Sequence, residues 1–429
     1  MPRVRKRTGH LFVFGILMVW LYVECMLCNP EIFRAYDVRG RYGVDFDAEM
    51  AQRFGMRFAA HHAQGPLVVG RDMRDSSGEI AHAVIDGAMH AGAQVIDIGV
   101  VSSPQCYWAI RSQGAAAGVM VTASHNSLAD NGFKTIARHG DMLEVIGGDV
   151  VRQMFDSHQG THRMTGSISR MDILRGYADA VAYAAHWRGG SELMLSLDAP
   201  DTVRRVLERL GPIAPDTDFA VRCDSDGDRI DFFEHGVQIP ADFIFLLLAE
   251  QLQLHPLVFD VRFSKTVRSR LDARGMAYAV SRVGRRYITS AMRERGAVFG
   301  GELSGHYYWR EFGMMECPEL TLLRVYMLMR KSGHALSQLV APYREYVRSD
   351  EISTPMRDHK HARAMMEMVR MKYHDGVQSQ IDGLSIEYPD WWLNIRPSNT
   401  EPVVRVIVEA ISKQLLDLKI SEVMVTLRR

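Results

Sequence analysis

Cysteine, net charge and long apolar runs are all scarce in this sequence, and each absence excludes a class of protein. Five cysteines among 429 residues, an odd and sparse set, argue against a disulfide framework and favour a reducing compartment. Lys and Arg number 51, as do Asp and Glu, so no net charge drives binding along a nucleic acid. With 47% hydrophobic residues the chain can bury several cores, and its length suggests about three domains. We therefore expect a multi-domain cytoplasmic protein without a nucleic-acid partner, and we favour a monomer.

An uncharged and mostly apolar run, Leu11–Val23, follows four basic residues as in a signal peptide. It is short for a membrane span, which needs about 20 apolar residues, and extending it meets Glu24. The alternatives are an interfacial anchor and a non-structural extension or misplaced start, which hydropathy does not separate. Of these alternatives, the interfacial anchor, which would bring the chain into contact with a membrane, is the less favoured. Cys25 and Cys28 lack a second ligand pair nearby, so we interpret them as hydrophobic filler rather than a zinc site.

Beyond residue 30, short apolar runs alternate with helix-like stretches. Pro66–Gly70 and Gln94–Gly99 have the composition of buried strands, and Ser77–Ala91 between them has apolar residues at helical spacing. This order is a βαβ unit, which predicts a parallel sheet covered by helices. The same rhythm returns over residues 257–295, whereas three strands and a closing helix over residues 384–426 predict an α+β domain. The fold class is therefore α/β with a C-terminal α+β part.

The first cluster with chemical potential follows a predicted strand at Gly118–Val121. It offers a hydroxyl nucleophile at Ser124 and hydrogen-bond donors at His125, Asn126 and Lys134 for a transferred phosphoryl group. A nucleophile at the carboxyl end of a parallel strand lies where open α/β sheets bind ligands. The alternative is an ordinary polar turn.

Three carboxylates, Asp224, Asp226 and Asp228, stand at alternate positions of a second cluster. They supply hard oxygen ligands, and a divalent cation would neutralise their charge. An EF-hand loop that began at Asp224 would need Gly and Glu where the chain has Arg229 and His235, so Mg²⁺ with a phosphate oxygen fits better than calcium. A solvated acidic turn is the alternative.

Two further segments are rich in groups that bind sugars and phosphates. Gly300–His306 is glycine-rich, which lets backbone approach a ligand, and it carries Glu302 and Ser304 for sugar hydroxyls. Arg396–Pro402 holds a guanidinium, hydroxyls and an amide that can wrap a phosphate monoester. Taken singly, each segment is explained as well by a polar turn.

Together and in this order the four motifs resemble the α-D-phosphohexomutase superfamily, most closely the bacterial phosphomannomutase/phosphoglucomutase group. The resemblance begins at Ile32–Gly40 and covers nearly everything after residue 30. It implies a Mg²⁺-dependent isomerase that interconverts mannose 6-phosphate and mannose 1-phosphate, with glucose phosphates as further candidate substrates. The reaction would pass through a phosphoserine and a hexose 1,6-bisphosphate, which also acts as activator, and would supply sugar precursors. Asn399 and the run Glu302–Tyr308 look more like phosphomannomutases than like related mutases.

The resemblance also implies a role for each site residue. The catalytic residues would be Ser124, which carries the phosphate, and His125, Lys134, Arg229, His306 and Arg39. Lys134 and His306 are the acid/base candidates. The metal ligands would be Ser124, Asp224, Asp226 and Asp228. The substrate-binding residues would be Tyr36, Arg262, Arg285, Glu302, Ser304, Arg396, Ser398, Asn399 and Thr400.

By the same resemblance, four domains surround a central cleft, after a hydrophobic N-terminal extension of residues 1–29. A phosphoserine-loop α/β domain would span residues 30–165 and a shortened metal-loop α/β domain residues 166–238. A sugar-recognition α/β domain would span residues 239–348, and a phosphate-binding α+β domain residues 349–429.

Four departures from the group's pattern leave alternatives open. Ser127 replaces a usual proline, so the serine loop loses a φ restraint. Arg285 replaces a usual histidine, Glu316 begins a segment where an Asp-Ser-Gly-like one is expected, and the second domain is short. A catalytically impaired sugar-phosphate-binding or scaffold protein with a truncated second domain is therefore the alternative function. A phosphatase is a further one, if water reaches the phosphoserine before the sugar does.

Overall fold

The computed structural model describes residues 29–34, 36–156, 165–189, 191–398 and 403–428. They divide into two compact units. Within the described residues, the first unit holds those up to residue 139 and those from 145 to 173, and the second holds residues 140–144 and those from 174 onward. Nearly all of the predicted N-terminal extension, including Cys25 and Cys28, lies outside the described residues.

A mixed sheet with helices lies in the first unit, except for residues 142–144 at the start of one strand, which fall in the second. Its elements are β1 Val38–Arg41, α1 Ala48–His61, β2 Leu67–Arg71, α2 Ser77–His90, β3 Gln94–Val100, α3 Ser103–Ser112, β4 Ala117–Val121, β5 Asp130–His139, β6 Met142–Ile146, α4 Gly148–Asp156 and β7 Ser167–Arg170. The strand order is β1-β5-β4-β2-β3-β7, with β6 on β5. Strands β4, β2, β3 and β7 are parallel, whereas β5 is antiparallel to both β4 and β1. The predicted βαβ unit is confirmed.

Helix α1 shows how the sequence builds the helical layer. Asp47 caps the helix because its carboxylate accepts the backbone N–H of Met50 at 2.9 Å. Met50, Phe54 and Phe58 recur at helical spacing and are buried. The ring of Phe54 stacks on Phe133 of β5, with ring centroids 4.3 Å apart. Burial of this apolar face therefore fixes α1 to the sheet.

The second unit begins with short elements. They are α5 Leu174–Ala185, β8 Leu193–Met194, β9 Ser196–Asp198, α6 Asp201–Leu210, β10 Ile213–Ala214, β11 Phe219–Cys223, β12 Ile230–Glu234 and β13 Val237–Ile239. Strands β8 and β10 form a two-stranded parallel sheet. Strand β11 is parallel to β9 and antiparallel to β12, which pairs with β13. The acidic segment of residues 224–229 connects β11 to β12, whereas the four domain boundaries proposed from the sequence stay a prediction.

A second parallel arrangement follows in the same unit. Its elements are α7 Ala241–Leu252, β14 Leu257–Asp260, α8 Lys265–Ala273, β15 Tyr278–Ser281, α9 Arg285–Arg295, β16 Phe299–Gly301, β17 Tyr307–Trp309, β18 Met315–Glu316, α10 Pro318–Ser332 and α11 Leu336–Val340. The strand order is β15-β14-β16-β17-β18. The first three strands are parallel and the last two antiparallel, so the βαβ rhythm predicted over residues 257–295 is confirmed.

The C-terminal part is an antiparallel sheet with two helices. Its elements are β19 Val347–Arg348, β20 Ile352–Pro355, α12 His359–Lys372, β21 Val377–Ser379, β22 Leu384–Glu387, β23 Trp391–Pro397, β24 Val403–Ala410 and α13 Lys413–Leu427. The strand order is β19-β24-β23-β22-β21, with β20 also on β24. Residues Leu393 and Ile395 of β23 form a buried core with Val369 of α12 and Val423 of α13. The predicted α+β arrangement is therefore confirmed.

Three short 3₁₀ helices, Pro30–Ile32, Arg310–Phe312 and Ala341–Tyr343, complete the described elements. None of the helices within the described residues is both long and apolar enough to span a bilayer.

Candidate active site

Ser124 lies just beyond the carboxyl end of β4, the position that the sequence predicted. It is 2% exposed, and its backbone N–H donates to Thr122 Oγ1 at 2.9 Å. Its φ of 54° is in the left-handed region, which a serine enters only when its surroundings hold it there. His125 follows as an exposed residue. The loop therefore holds a buried hydroxyl residue beside an exposed imidazole.

Arg39 of β1 contacts the serine loop directly. Its Nη1 donates to Asn126 Oδ1 at 3.0 Å, while its Nε donates to Asp37 Oδ2 at 2.7 Å. The ion pair with Asp37 orients the guanidinium, because two of its nitrogens approach the same carboxylate oxygen. Tyr36 is half-buried in the bend just before β1. The N-terminal motif and the serine motif thus meet within the first unit.

Lys134 is held in the sheet beside the same loop. It lies on β5 opposite Met120 of β4, is 4% exposed, and its Nζ is 3.4 Å from Ser103 Oγ. Strand β5 reaches this position only because Gly132 has no side chain: a Cβ there would lie 1.9 Å from the carbonyl oxygen of Val38. The close approach of β1 and β5 therefore sets the place of Lys134.

In the second unit, Asp224 organises the acidic turn that precedes β12. Its Oδ1 accepts the backbone N–H groups of Asp228 at 3.1 Å and Arg229 at 3.2 Å, and its carbonyl accepts the N–H of Gly227 at 3.0 Å. The Arg229 guanidinium lies 3.6 Å from Asp224 Oδ2. These bonds fold the segment so that alternate side chains converge.

The three aspartates of this turn fit a divalent cation. Carboxylate oxygens of Asp224, Asp226 and Asp228 all lie within 4.8 Å of one another, and the last two residues are each 1% exposed. Mg²⁺ prefers hard, negatively charged oxygen ligands such as these carboxylates to sulfur or nitrogen ligands. The residues present therefore fit the predicted metal. Ser124, predicted as a fourth ligand, belongs to the first unit, and its place among the ligands stays a prediction.

The glycine-rich loop packs against the acidic turn. The N–H of Ile230 donates to the carbonyl of Gly305 at 3.0 Å, and Gly305 has a φ of +84° that favours glycine. His306 Nε2 lies 3.3 Å from Asp228 Oδ1, and its Nδ1 is 2.9 Å from Ser304 Oγ. The imidazole therefore joins the predicted sugar loop to a predicted metal ligand.

Glu302 is held at the base of the same loop. One carboxylate oxygen accepts the hydroxyl of Tyr308 at 2.5 Å, and the other accepts the N–H of Gly284 at 3.1 Å. The residue is 3% exposed. Its orientation is fixed by the fold, as expected for a group that must present an oxygen in a defined direction.

Arg285 begins α9 and contacts two carboxylates. Its Nη2 donates to Asp228 Oδ2, and its Nε donates to Glu316 Oε1 at 2.5 Å. Both acidic residues are 1% exposed, so the guanidinium is the counter-charge of a buried pair. Two of the departures noted in the sequence, Arg285 and Glu316, are thus direct partners. The substrate role predicted for Arg285 stays a prediction.

Arginines gather around Glu351, between β19 and β20. Glu351 accepts from Arg396 Nη2 at 2.6 Å, from Arg405 Nη1 at 3.3 Å, and lies 3.7 Å from Arg262 Nη1. Burial by itself would raise the pKa of Glu351, but the positive charges of these three arginines lower it below its ordinary value. Arg262 is also paired with Asp260, whereas Arg396 and Arg405 share Glu351, and guanidinium groups of this kind can bind a phosphate.

Arg262 is fixed in this cluster by Asp260. Its Nε and Nη2 donate to the two carboxylate oxygens of Asp260 at 3.0 and 2.7 Å. Burial opposes the charge on Asp260, but the adjacent guanidinium lowers the pKa of that carboxyl below its ordinary value. Ser398 is 8% exposed at the end of β23. Asn399 and Thr400, predicted beside it, lie outside the described residues.

Three residues of these sites were missed in the sequence. Arg74 lies against the serine loop, and its position after β2, at the carboxyl end of a parallel strand, is the signal that would have found it. Glu316 was noted without a role, and Glu351 carries no local signal because its partners are distant in sequence.

Comparisons with known proteins place these features in one family. Residues 30–156 match phosphoglucomutase/phosphomannomutase α/β/α domain I, residues 240–346 match α/β/α domain III, and residues 347–423 match the C-terminal domain. A phosphohexose mutase of Xanthomonas campestris pv. campestris is 32% identical over 430 residues, which covers 88% of this chain and 94% of that protein. The chain therefore belongs to the phosphoglucomutase/phosphomannomutase family of the α-D-phosphohexomutase superfamily, a family of isomerases.

Other relatives agree with this assignment. A phosphomannomutase of Methanocaldococcus jannaschii is 27% identical over 450 residues, covering 93% of this chain and 98% of that protein. The crystal structure of a phosphoglucomutase/phosphomannomutase family protein from Burkholderia thailandensis has a TM-score of 0.82 at 24% identity, covering 94% of this chain and 98% of that one. The multi-domain phosphohexomutase fold expected from the sequence is thus confirmed.

Proposed function

We propose that this protein is a phosphomannomutase that interconverts mannose 6-phosphate and mannose 1-phosphate. The phosphate would pass through Ser124 and a hexose 1,6-bisphosphate, with the glucose phosphates as second-choice substrates. The observation that carries the proposal is the contact of His306 with Asp228 at 3.3 Å, because it joins a sugar-directed loop to a metal-directed turn. A phosphoryl transfer to a sugar hydroxyl needs both kinds of group at one place.

The residues predicted for the transfer itself would act in sequence. Ser124 Oγ carries the phosphoryl group, and its bond to phosphorus breaks as the sugar hydroxyl forms the new one. The hydroxyl proton leaves to a base, for which His306 and Lys134 are the candidates. Glu302 and Ser304 hold sugar hydroxyls. Because the serine loop and the acidic turn belong to different units, the proposal requires both units to act on one sugar phosphate.

The non-reacting phosphate would bind the arginines that surround Glu351. Arg262 and Arg396 approach Glu351 from two different sheets, and Ser398 lies two residues beyond Arg396. A dianionic phosphate monoester gains charge-assisted hydrogen bonds to these guanidinium groups and competes with Glu351 for them. Because the two carbons of the sugar exchange roles, this cluster would accept either end of the bisphosphate.

Asp224, Asp226 and Asp228 would hold Mg²⁺, with hexose 1,6-bisphosphate as the activator that phosphorylates Ser124. The cation, when bound, supplies positive charge that offsets the negative charge of the phosphoryl oxygens. Arg229, bonded to Asp224, and Arg39, bonded to Asn126, add positive charge from the two units. His125 follows Ser124 as a donor to the phosphate.

The test is conversion of mannose 6-phosphate to mannose 1-phosphate, followed by phosphorus NMR with Mg²⁺ and a trace of hexose bisphosphate. Ser124→Ala is expected to abolish turnover, and Ser112→Ala, an exposed serine at the end of α3, is the matched control. Asp226→Asn is expected to lower kcat by about a hundredfold or more, with Asp218→Asn, on an exposed turn, as its control. Turnover by Ser124→Ala at the parent rate would exclude a phosphoserine.

The alternatives give different signals in the same assay. A phosphatase releases inorganic phosphate without forming mannose 1-phosphate. A sugar-phosphate-binding or scaffold protein binds mannose 6-phosphate by calorimetry but leaves its phosphorus spectrum unchanged. Glucose 6-phosphate run in parallel ranks the two sugars by kcat/KM.

A further inference from the structure

The loop that carries Ser124, residues 124–130, is braced from within by Asn126. Its Nδ2 donates to Asp130 Oδ2 at 3.0 Å, and its backbone N–H donates to the carbonyl of Ala123 at 3.1 Å. The loop contains no proline, and the side chains of His125, Ser127, Leu128 and Ala129 are exposed, Leu128 by 84%. Ser124 nevertheless has a left-handed backbone with a φ of 54°. A loop with a strained residue and exposed side chains becomes more rigid when a buried group also binds its backbone.

Arg74 binds that backbone with its whole guanidinium. Its Nη2 donates to the carbonyls of Ser124 at 2.6 Å and Asn126 at 2.9 Å. Its Nη1 donates to the carbonyls of Ser127 and, at 3.0 Å, Asp130. The remaining donor, Nε, reaches Asp72 at 3.1 Å. All five N–H groups of the side chain are therefore used, four of them on the loop.

The guanidinium is itself anchored from the opposite side. Asp72 Oδ1 accepts the backbone N–H of Arg74 at 3.1 Å and the hydroxyl of Ser77 at 2.5 Å. Asn131, the residue after the loop, donates to Ser77 Oγ at 2.9 Å. The side chains of Arg74 and Asp72 are each 4% exposed, so this network is closed to water. A buried, fully bonded network of this kind is rigid.

From these contacts we propose that Arg74 is a positioning residue that fixes the backbone of the Ser124 loop. Arg74 donates to main-chain carbonyls of the loop. It therefore influences the reaction by fixing the position of Ser124 Oγ. A lysine cannot replace it, because an ammonium has three donors that share one nitrogen and cannot span four carbonyls. The inference rests on the proposed role of Ser124 as the phosphorylated residue.

The test compares Arg74→Lys with the parent chain by hydrogen exchange and by kinetics. We expect faster amide exchange confined to residues 123–130. We also expect kcat to fall by about tenfold to a hundredfold while KM changes by less than about twofold, since Arg74 donates to loop carbonyls and to Asp72. Arg71→Lys is the matched control: Arg71 is the last residue of β2, three positions before Arg74, and pairs with Asp97 at 3.0 Å. It should leave loop exchange and kcat unchanged.

Other outcomes overturn the inference. If amide exchange of the loop in Arg74→Lys equals that of the parent, Arg74 does not fix the loop. If Arg74→Lys loses stability throughout the protein and Arg71→Lys does the same, the role of Arg74 is merely structural. If Arg74→Lys does not fold, the uncharged Arg74→Gln is measured instead, and unchanged loop exchange there has the same meaning. Turnover by Ser124→Ala would contradict the proposed function, whereas the exchange of the loop reports on Arg74 by itself.

Discussion

Asp228 shows how much chemistry one side chain can concentrate. It contacts Arg285 through Oδ2 and His306 through Oδ1. One of its carboxylate oxygens also lies within 4.8 Å of carboxylate oxygens of Asp224 and Asp226. A cation at the aspartates must therefore share Asp228 with a guanidinium that is already there. Arg285 lowers the negative charge available to the metal and so opposes its binding.

Removing that guanidinium is expected to strengthen metal binding. Arg285→Gln should raise the affinity for Mg²⁺ by about tenfold, because one buried positive charge next to the three carboxylates is lost. Isothermal titration calorimetry of the substrate-free protein measures it. Arg293→Gln is the control on the same helix, since Arg293 bonds the carbonyl of Leu143 at 2.9 Å instead. An unchanged or weaker affinity in Arg285→Gln would contradict the prediction.

At the scale of elements, the pairing of β1 with β5 joins the N-terminal motif to the serine motif. Arg39 stands opposite Gly132, and Val38 opposite Phe133. Both strands carry predicted site residues, Arg39 on β1 and Lys134 on β5. The spacing of the two strands thus controls where these side chains meet the loop at Ser124.

A side chain at Gly132 should separate these strands. Gly132→Ala places a Cβ 1.9 Å from the carbonyl oxygen of Val38, and we expect it to lower the free energy of unfolding by about 2 kcal/mol or more. Gly78→Ala is the control, because a Cβ in that part of α2 meets nothing within 4 Å and alanine favours a helix. Denaturant unfolding compares the two. Equal stability of the two variants would show that the strands can separate without cost.

At the scale of the whole molecule, a buried cluster in the second unit joins α10 to α5. The hydroxyl of Tyr177 donates to Glu319 Oε2 at 2.9 Å and lies 3.3 Å from Cys317 Sγ. Burial raises the pKa of Glu319 from 4.5 to about 7 and the pKa of Cys317 well above its ordinary value. The fold therefore favours a protonated Glu319.

This carboxyl makes the stability of the protein depend on pH. The unfolded chain releases the proton of Glu319 near its ordinary pKa, whereas the folded chain keeps it to about pH 7. Its contribution to the free energy of unfolding is fully present below the pKa of Glu319 in the unfolded chain. As pH rises through the pKa in the folded chain this contribution is lost, by about 3 kcal/mol in all.

Glu319→Gln should remove this pH dependence, because it retains the shape and has no proton to lose. We expect the variant to be more stable than the parent at about pH 8 and to approach it at about pH 5. Denaturant unfolding at both pH values measures the difference. Glu49→Gln changes an exposed residue of α1 and should leave the pH dependence of the free energy of unfolding unchanged. If the free energy of unfolding changes equally with pH in the parent and in Glu319→Gln, a group other than Glu319 is titrating.

The sequence by itself determined the local structure and the chemical groups. The alternation of apolar runs predicted β2, α2, β3 and β4 of the first sheet, the βαβ rhythm of residues 257–295 and the strands of residues 384–409. The spacing within the motifs indicated Ser124 and the three aspartates as site residues. These features depend on neighbours in the chain, so spacing reveals them. Only the tertiary structure decided that Arg285 would pair with Glu316, that Glu351 would hold three arginines, and that Arg74 would bind four carbonyls. Such contacts join residues far apart in the chain, and their formation depends on how strands pair and loops return, which local spacing does not encode.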